Sequence, residues 1–183
     1  MVLTLSSEQV DAIQSHAERT YPEECCGLLM GRLDLLCNQS EARFLSQIIP
    51  VENDWTPALE ALPETLGADL RAELTADIEP PLGKSRRYWI NPKDLLAAQR
   101  YARDRNLDII GIYHSHPDHP AIPSECDRAQ AWPEYSYLIV SVQQNQATDL
   151  KSWRLDRHHQ FQPEPLMLSQ QPSNFTPLTG AHP

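Results

Sequence analysis

The chain lacks most of the features that would place it outside the ordinary globular class. Six of its 183 residues are glycine, where average usage gives about 13, so a glycine-rich or collagen-like chain is excluded. No stretch approaches the roughly 18 uncharged apolar residues of a membrane-crossing helix. The opening residues, Met1-Val2-Leu3-Thr4-Leu5-Ser6, lack the basic segment and apolar run of a secretory leader. A cytoplasmic protein with no membrane partner is expected. The four cysteines (Cys25, Cys26, Cys37, Cys126) form no C-x-x-C pair, which argues against a disulfide framework and a zinc ribbon. Adjacent thiols read as buried cysteines of a reducing compartment. Positive charge is scarce as well: 15 Lys and Arg against 25 Asp and Glu leave a net charge of −10. A polyphosphate backbone repels such a surface, which argues against nucleic acid as the main partner.

What is present suits one compact domain. A chain of this length with 40% hydrophobic residues buries roughly 70% of its unfolded surface and needs no staples. The charge is uneven. Between Glu52 and Glu79 stand eight acids and one base, Arg71, so seven of the ten net negative charges fall in this stretch. Sixteen prolines, against about 9 on average, cluster at Pro50 to Pro92, Pro117 to Pro133 and from Pro163 onward, which marks three interruptions of regular structure.

Ser6 and Gln9 have capping-box spacing, and Val10, Ile13 and Ala17 recur on one face, so a helix is expected over 7–20. Strands are expected over 25–30 and 43–51. In the acidic stretch, Thr56-Pro57 begins a helix carrying Leu59, Leu62, Leu66, Leu70 and Leu74, interrupted by Pro63. It reads either as a surface insertion resting its leucines on the domain or as a docking element. A short strand over 88–90, a helix from Asn91-Pro92 to about Arg105, and a strand over 107–114 follow. A helix over 124–132 stops at Pro133, and strands are expected over 135–142 and 149–155. After Phe161 the composition predicts a poorly ordered tail over 161–183. The domain then runs over 1–160, with an acidic insertion at about 53–84. The element order argues for a mixed α/β fold, one sheet covered by helices.

The segment His114-Ser115-His116-Pro117 through Asp127 carries the chemistry. His114 and His116 stand two apart at a strand end, so both imidazoles face one side of the sheet. A catalytic zinc takes three protein ligands and keeps one position open, and two histidines with one carboxylate form an established set. Asp127 supplies the third if the loop over 117–123 returns the chain. Plainer readings exist beside this. Asp127 also completes a capping box with Ser124, loop histidines are commonly just solvated, and His119 competes with Asp127 as third ligand. Hydrolysis further needs a proton acceptor and an oxyanion donor. Glu23 and Glu24 serve equally as the first on chemistry alone, and Ser124 is a candidate for the second.

With these residues the chain resembles the JAMM/MPN+ zinc metalloprotease family. That signature is an upstream glutamate, then His-Ser/Thr-His-Pro, six residues, Ser, two residues, Asp; here His114 to Pro117, Ser124 and Asp127 reproduce it in full. The family glutamate stands three residues before a glycine at a buried strand, which selects Glu24, three before Gly27. The resemblance implies His114, His116 and Asp127 as zinc ligands, Glu24 as the base and Ser124 as oxyanion stabiliser. It also implies a curved, mainly antiparallel sheet flanked by helices, as in cytidine deaminases. Deamination itself is disfavoured, because the H-x-E and P-C-x-x-C pattern is missing. Pro22 to Leu29 and the run Tyr113 to Pro120 look like the prokaryotic branch. Its members hydrolyse an amide or isopeptide bond at the C-terminus of a ubiquitin-like sulfur-carrier protein, trimming it or releasing cysteine from a carrier-cysteine adduct. The alternatives are a non-catalytic MPN scaffold and a peptidase acting on an unrelated small peptide.

Overall fold

The computed structural model describes residues 1–35, 41–56 and 83–169. The leucine-bearing helix expected after Thr56, Cys37 and the end of the tail lie outside the described residues. Strand β1 (Val2–Leu5) leads into helix α1 (Ser7–Thr20), and Ser6 caps it as its spacing predicts. The Ser6 hydroxyl accepts from the Gln9 amide, and the Gln9 side chain accepts from the Ser6 amide at 2.8 Å. Strands β2 (Cys26–Leu35) and β3 (Glu41–Val51) pair antiparallel. Helix α2 (Pro92–Arg103), strand β4 (Asp108–Pro117), helix α3 (Glu125–Gln130) and strands β5 (Ser136–Gln143) and β6 (Gln146–Leu155) follow.

The fold is the mixed α/β class expected, with four antiparallel and three parallel strand pairs among the described residues. Central strand β2 shows why helices cover both faces. Cys25 and Leu29 enter the cluster beneath α1 with Ile13, Ala17, Tyr113 and Leu138, whereas Leu28 and Met30 pack with Ala98 and Ala102 of α2. Among the described residues, no helix is long and apolar enough to cross a membrane.

Three expectations are corrected. Residues 88–90 are not a strand: this strap is pinned to residues 53–54 by single bonds, the Asp54 amide donating to the Trp89 carbonyl at 3.0 Å, and no ladder develops. Nor is the start of the tail irregular. Phe161–Glu164 is strand β7 and Leu166–Leu168 is strand β8, and they lie at opposite ends of the sheet order β7-β6-β5-β4-β2-β3-β1-β8. Glu164 pairs with Ser152 on β6 and Leu166 with Leu3 on β1, with one residue between them. Two residues of chain span at most about 7 Å, so the sheet curls until its edges meet. The prolines that suggested a tail are tolerated because edge strands need not donate every amide. The short helix α3 also ends before the expected 132, because Ala131 turns extended.

The closure is held from within by Arg43 of β3, whose guanidinium reaches Glu164 at 3.4 Å and Ser136 at 3.0 Å. Both ionic side chains are buried, 3% and 1% exposed. Removing one member of such a pair leaves the other charge uncompensated, so Glu164→Ala is expected to lower stability by about 3 kcal/mol, measured by urea unfolding. A change within a few tenths of a kcal/mol would refute the closure as described.

A second prediction concerns His16 on α1. A Cβ on Gly27 would lie 2.2 Å from the Tyr113 ring, so glycine there admits the ring across β2. The Tyr113 hydroxyl then lies 2.9 Å from His16 Nδ1. Burial, with Arg19 nearby, pushes His16 down to about 4. The unfolded chain takes up this proton near pH 6.5 while the fold refuses it until about 4, so the penalty is absent above 6.5 and grows as pH falls to 4. Allowing for its partial exposure, His16→Gln should remove roughly 2 kcal/mol of the stability lost between those pH values. Parallel pH–stability curves for the two proteins would contradict this assignment.

Candidate metal centre and active site

Strand β4 and the cap of α3 build the site. The β4 register sets His114 opposite Cys26 of β2, and the two backbones are locked by Ser115. Its amide donates to the Cys25 carbonyl at 3.1 Å and its hydroxyl accepts from the Cys25 amide at 2.8 Å. The alternation that turns Ser115 to β2 turns His114 and His116 the other way, and their Nε2 atoms lie 3.0 Å apart. The His116 ring is oriented by the Pro120 carbonyl, 2.9 Å from Nδ1. The His114 ring stacks on Tyr88, centroids 4.5 Å apart and planes at 24°, while its buried Nδ1 has no hydrogen-bond partner.

Asp127 joins them from the first turn of α3. Its Oδ1 lies 3.3 Å from His114 Nε2 and its Oδ2 3.5 Å from His116 Nε2. The capping reading of Asp127 holds at the same time: Oδ2 accepts from the Ser124 amide and hydroxyl, both at 2.6 Å, and the Asp127 amide donates to the Ser124 hydroxyl. The cap thus fixes the carboxylate that the histidines face. His119, the competing third ligand, is exposed and outside the buried trio His114, His116 and Asp127.

The electrostatics suit a cation. Burial pushes His114 down despite Asp127, which favours the neutral imidazole that coordinates. Burial alone would raise Asp127, but the two imidazoles and Ser124 outweigh it and hold the carboxyl well below its ordinary range. Glu24, 5% exposed, moves the opposite way. Its burial, then the negative charge of Asp127, raise its carboxyl well above the usual value, and Arg87 and Arg86 only partly offset this. Glu23 is exposed.

Tyr88, Asn53 and the arginines at 86 and 87 were not singled out from the sequence. Tyr88 falls in the strand expected over 88–90, and Asn53 at the edge of the expected insertion. Neither has a signal in spacing, because only the fold brings their segments together beside the trio.

Residues 6–156 match the prokaryotic homologs of the JAB domain, and the chain belongs to that family. The resemblance stated on the His-Ser-His-Pro signature therefore holds at the level of family. A desampylase of Haloferax volcanii is 29% identical over 144 residues, covering 76% of this chain and 80% of its own length. A CysO-cysteine peptidase of Mycobacterium tuberculosis is 25% identical over 155 residues, 84% of this chain and 83% of its own. A solved structure from Desulfitobacterium hafniense shares the fold with a TM-score of 0.67 at 24% identity, covering 93% of this chain and 94% of its own.

The donor atoms fit the metal that the family implies. Ligands of a tetrahedral zinc ion, with bonds of about 2.0–2.1 Å, lie about 3.3 Å from one another. Here the two imidazole Nε2 atoms lie 3.0 Å apart, and each faces one oxygen of Asp127, Oδ1 at 3.3 Å from His114 and Oδ2 at 3.5 Å from His116, so the three side chains converge at the spacing a shared ion requires. Groups that orient a ligand typically contribute 10–100-fold to metal affinity, so Ser124→Ala should weaken zinc binding about tenfold. It should also lower stability by about 1 kcal/mol through loss of the cap. Competition against a chromophoric chelator reads the first effect, and an unchanged affinity would separate the cap from the metal centre.

Proposed function

We propose that this chain is a zinc-dependent hydrolase of an amide or isopeptide bond at the C-terminus of a ubiquitin-like sulfur-carrier protein. The observation that carries the reading is the buried triangle of His114, His116 and Asp127 beside a buried carboxyl with raised proton affinity, Glu24. Zinc bound by the trio would supply Lewis acidity at the scissile carbonyl and make water a nucleophile near neutral pH.

The remaining chemistry falls to the chain itself. Glu24 takes the proton from the attacking water and delivers it to the leaving amine, and its raised proton affinity matches both halves of that task. No hydrogen bond within the protein occupies the Glu24 carboxylate among the described contacts. Ser124 has one hydroxyl proton, given to Asp127 here. We assign it first to orienting that ligand, and to the oxyanion when a substrate carbonyl offers a competing acceptor. The names of the desampylase and the CysO-cysteine peptidase support a ubiquitin-like carrier or its conjugate as substrate. The acidic insertion at about 53–84 is proposed to tune partner choice without serving the metal.

Incubation of the zinc-loaded protein with a sulfur-carrier protein bearing a C-terminal extension, or conjugated through it, should yield a carrier ending in Gly-Gly by intact mass. A chelator should abolish the change. Glu24→Ala should lower the rate at least about 100-fold, the scale of general acid–base catalysis, while still binding zinc. An undiminished rate in that variant would refute the mechanism.

A further inference from the structure

Beyond the end of β3, Asn53 is 6% exposed and uses all the hydrogen-bonding capacity of its amide. Its Nδ2 donates to the Glu24 carbonyl at 3.0 Å and to the Arg87 carbonyl at 2.9 Å. Its Oδ1 accepts from the Trp55 amide at 3.0 Å and the Trp89 amide at 3.1 Å. One side chain therefore joins three segments distant in sequence: the one carrying Glu24, the one leaving β3, and the strap on which Tyr88 lies between Arg87 and Trp89. The adjoining bonds run between the same segments. The Glu24 amide donates to the Lys84 carbonyl at 2.7 Å, and Asn91 Nδ2 donates to the Asp54 carboxylate at 2.7 Å.

Both outputs of this clamp reach the site. One is the backbone position of Glu24. The other is Tyr88, whose ring lies flat on His114, the imidazole whose Nδ1 has no hydrogen bond to orient it. A metal-ligating histidine is ordinarily aimed by a hydrogen bond at its second nitrogen; here a stacked ring occupies that role. The strap forms no ladder through residues 88–90, so its place depends on the bonds to Asn53 and Asp54.

We infer that Asn53 is a positioning residue, setting Glu24 and the Tyr88–His114 stack in register with each other. The inference rests on the hydrolase reading for its catalytic consequence and on the hydrogen bonds for its structural one. Asn53 touches none of the three metal ligands, so its loss should separate catalysis from metal binding.

The test uses the full-length zinc-loaded protein and two variants. Asn53→Ala removes all four bonds; Asn53→Asp keeps the size and both acceptor bonds and loses both donors. Misplacement by about 1 Å costs on the order of 100-fold in rate. On that scale kcat for carrier cleavage should fall about 100-fold in Asn53→Ala and less in Asn53→Asp, with KM and zinc affinity within roughly threefold of the parent. Amide hydrogen exchange supplies a readout that needs no substrate: the Trp55 and Trp89 amides should exchange about tenfold or more faster in Asn53→Ala, with the β4 amides unchanged. If Asn53→Ala does not fold, Asn53→Asp decides on kcat against zinc affinity, because it keeps the bonds that protect the Trp55 and Trp89 amides. A kcat within threefold of the parent, or zinc lost in step with activity, overturns the inference. If the parent cleaves no carrier, the hydrolase reading fails by itself. Exchange then still decides the clamp, and unchanged Trp55 and Trp89 amides overturn it.

Discussion

The pairing of β2 with β4 is the constraint on which the rest depends. Glu24 and His114 are ninety positions apart, and the register that sets Cys26 opposite His114 makes them neighbours. Side chains alternate across a strand, so a slip of one residue would turn both histidines toward α1 and send Tyr113 and Ser115 to the site. Several features resist that slip. Gly27 admits only a ring crossing above it, and Tyr113 is that ring. Ser115 spans the strand ends with a hydroxyl as well as an amide, both bonded to Cys25. Leu28, Met30 and Ile112 meet α2 while Leu29 and Tyr113 meet α1, so hydrophobic burial on two faces votes for the same register.

A second economy lies in α3. An aspartate at the third position of a helix ordinarily satisfies the exposed amides of the first turn. Asp127 does so with Oδ2, which also faces His116, while Oδ1 faces His114. The capping and metal readings of this residue are therefore one arrangement. Helix formation orients the carboxylate before any ion arrives, which reduces the reorganisation that binding must overcome. Burial, and after it the same carboxylate, raise the proton affinity of Glu24, so the charge that suits Asp127 to a cation also acts on the carboxyl beside it.

Much of this was legible in the sequence because it depends on local chemistry. Helix α1 runs over the expected 7–20 from its capping pair, and the grouping of His114, His116 and Asp127 agrees with strand alternation plus a return loop of adequate length. Apolar runs reveal only the buried part of a strand. Thus the apolar run marks β2 only to residue 30, but the strand continues to Leu35 with side chains exposed from Arg32 onward. Residues 161–168 were hidden for a related reason. Their prolines and polar residues are poor marks of a strand, and what orders them is two sheet edges that meet only after the remainder has folded. Tyr88 and Asn53 belong to the same class: neither has a periodic pattern, and each derives its role from segments that the fold brings together.

The clamp also explains how a strongly acidic stretch can interrupt this chain without disturbing its site. The described chain breaks off after Thr56 and resumes at Gly83. On either side, Asn53, Asp54, Lys84 and Trp89 are bonded to one another or to Glu24. Once the two ends of a loop are fixed together, further lengthening adds only slowly to the entropy of closing it, about 0.6 kcal/mol for each doubling. Length and composition between the fixed ends are then free to vary, while the geometry of Glu24 and His114 is decided on the near side of the clamp. On this physical division, most of the net negative charge lies outside the nearly neutral remainder that carries the candidate site.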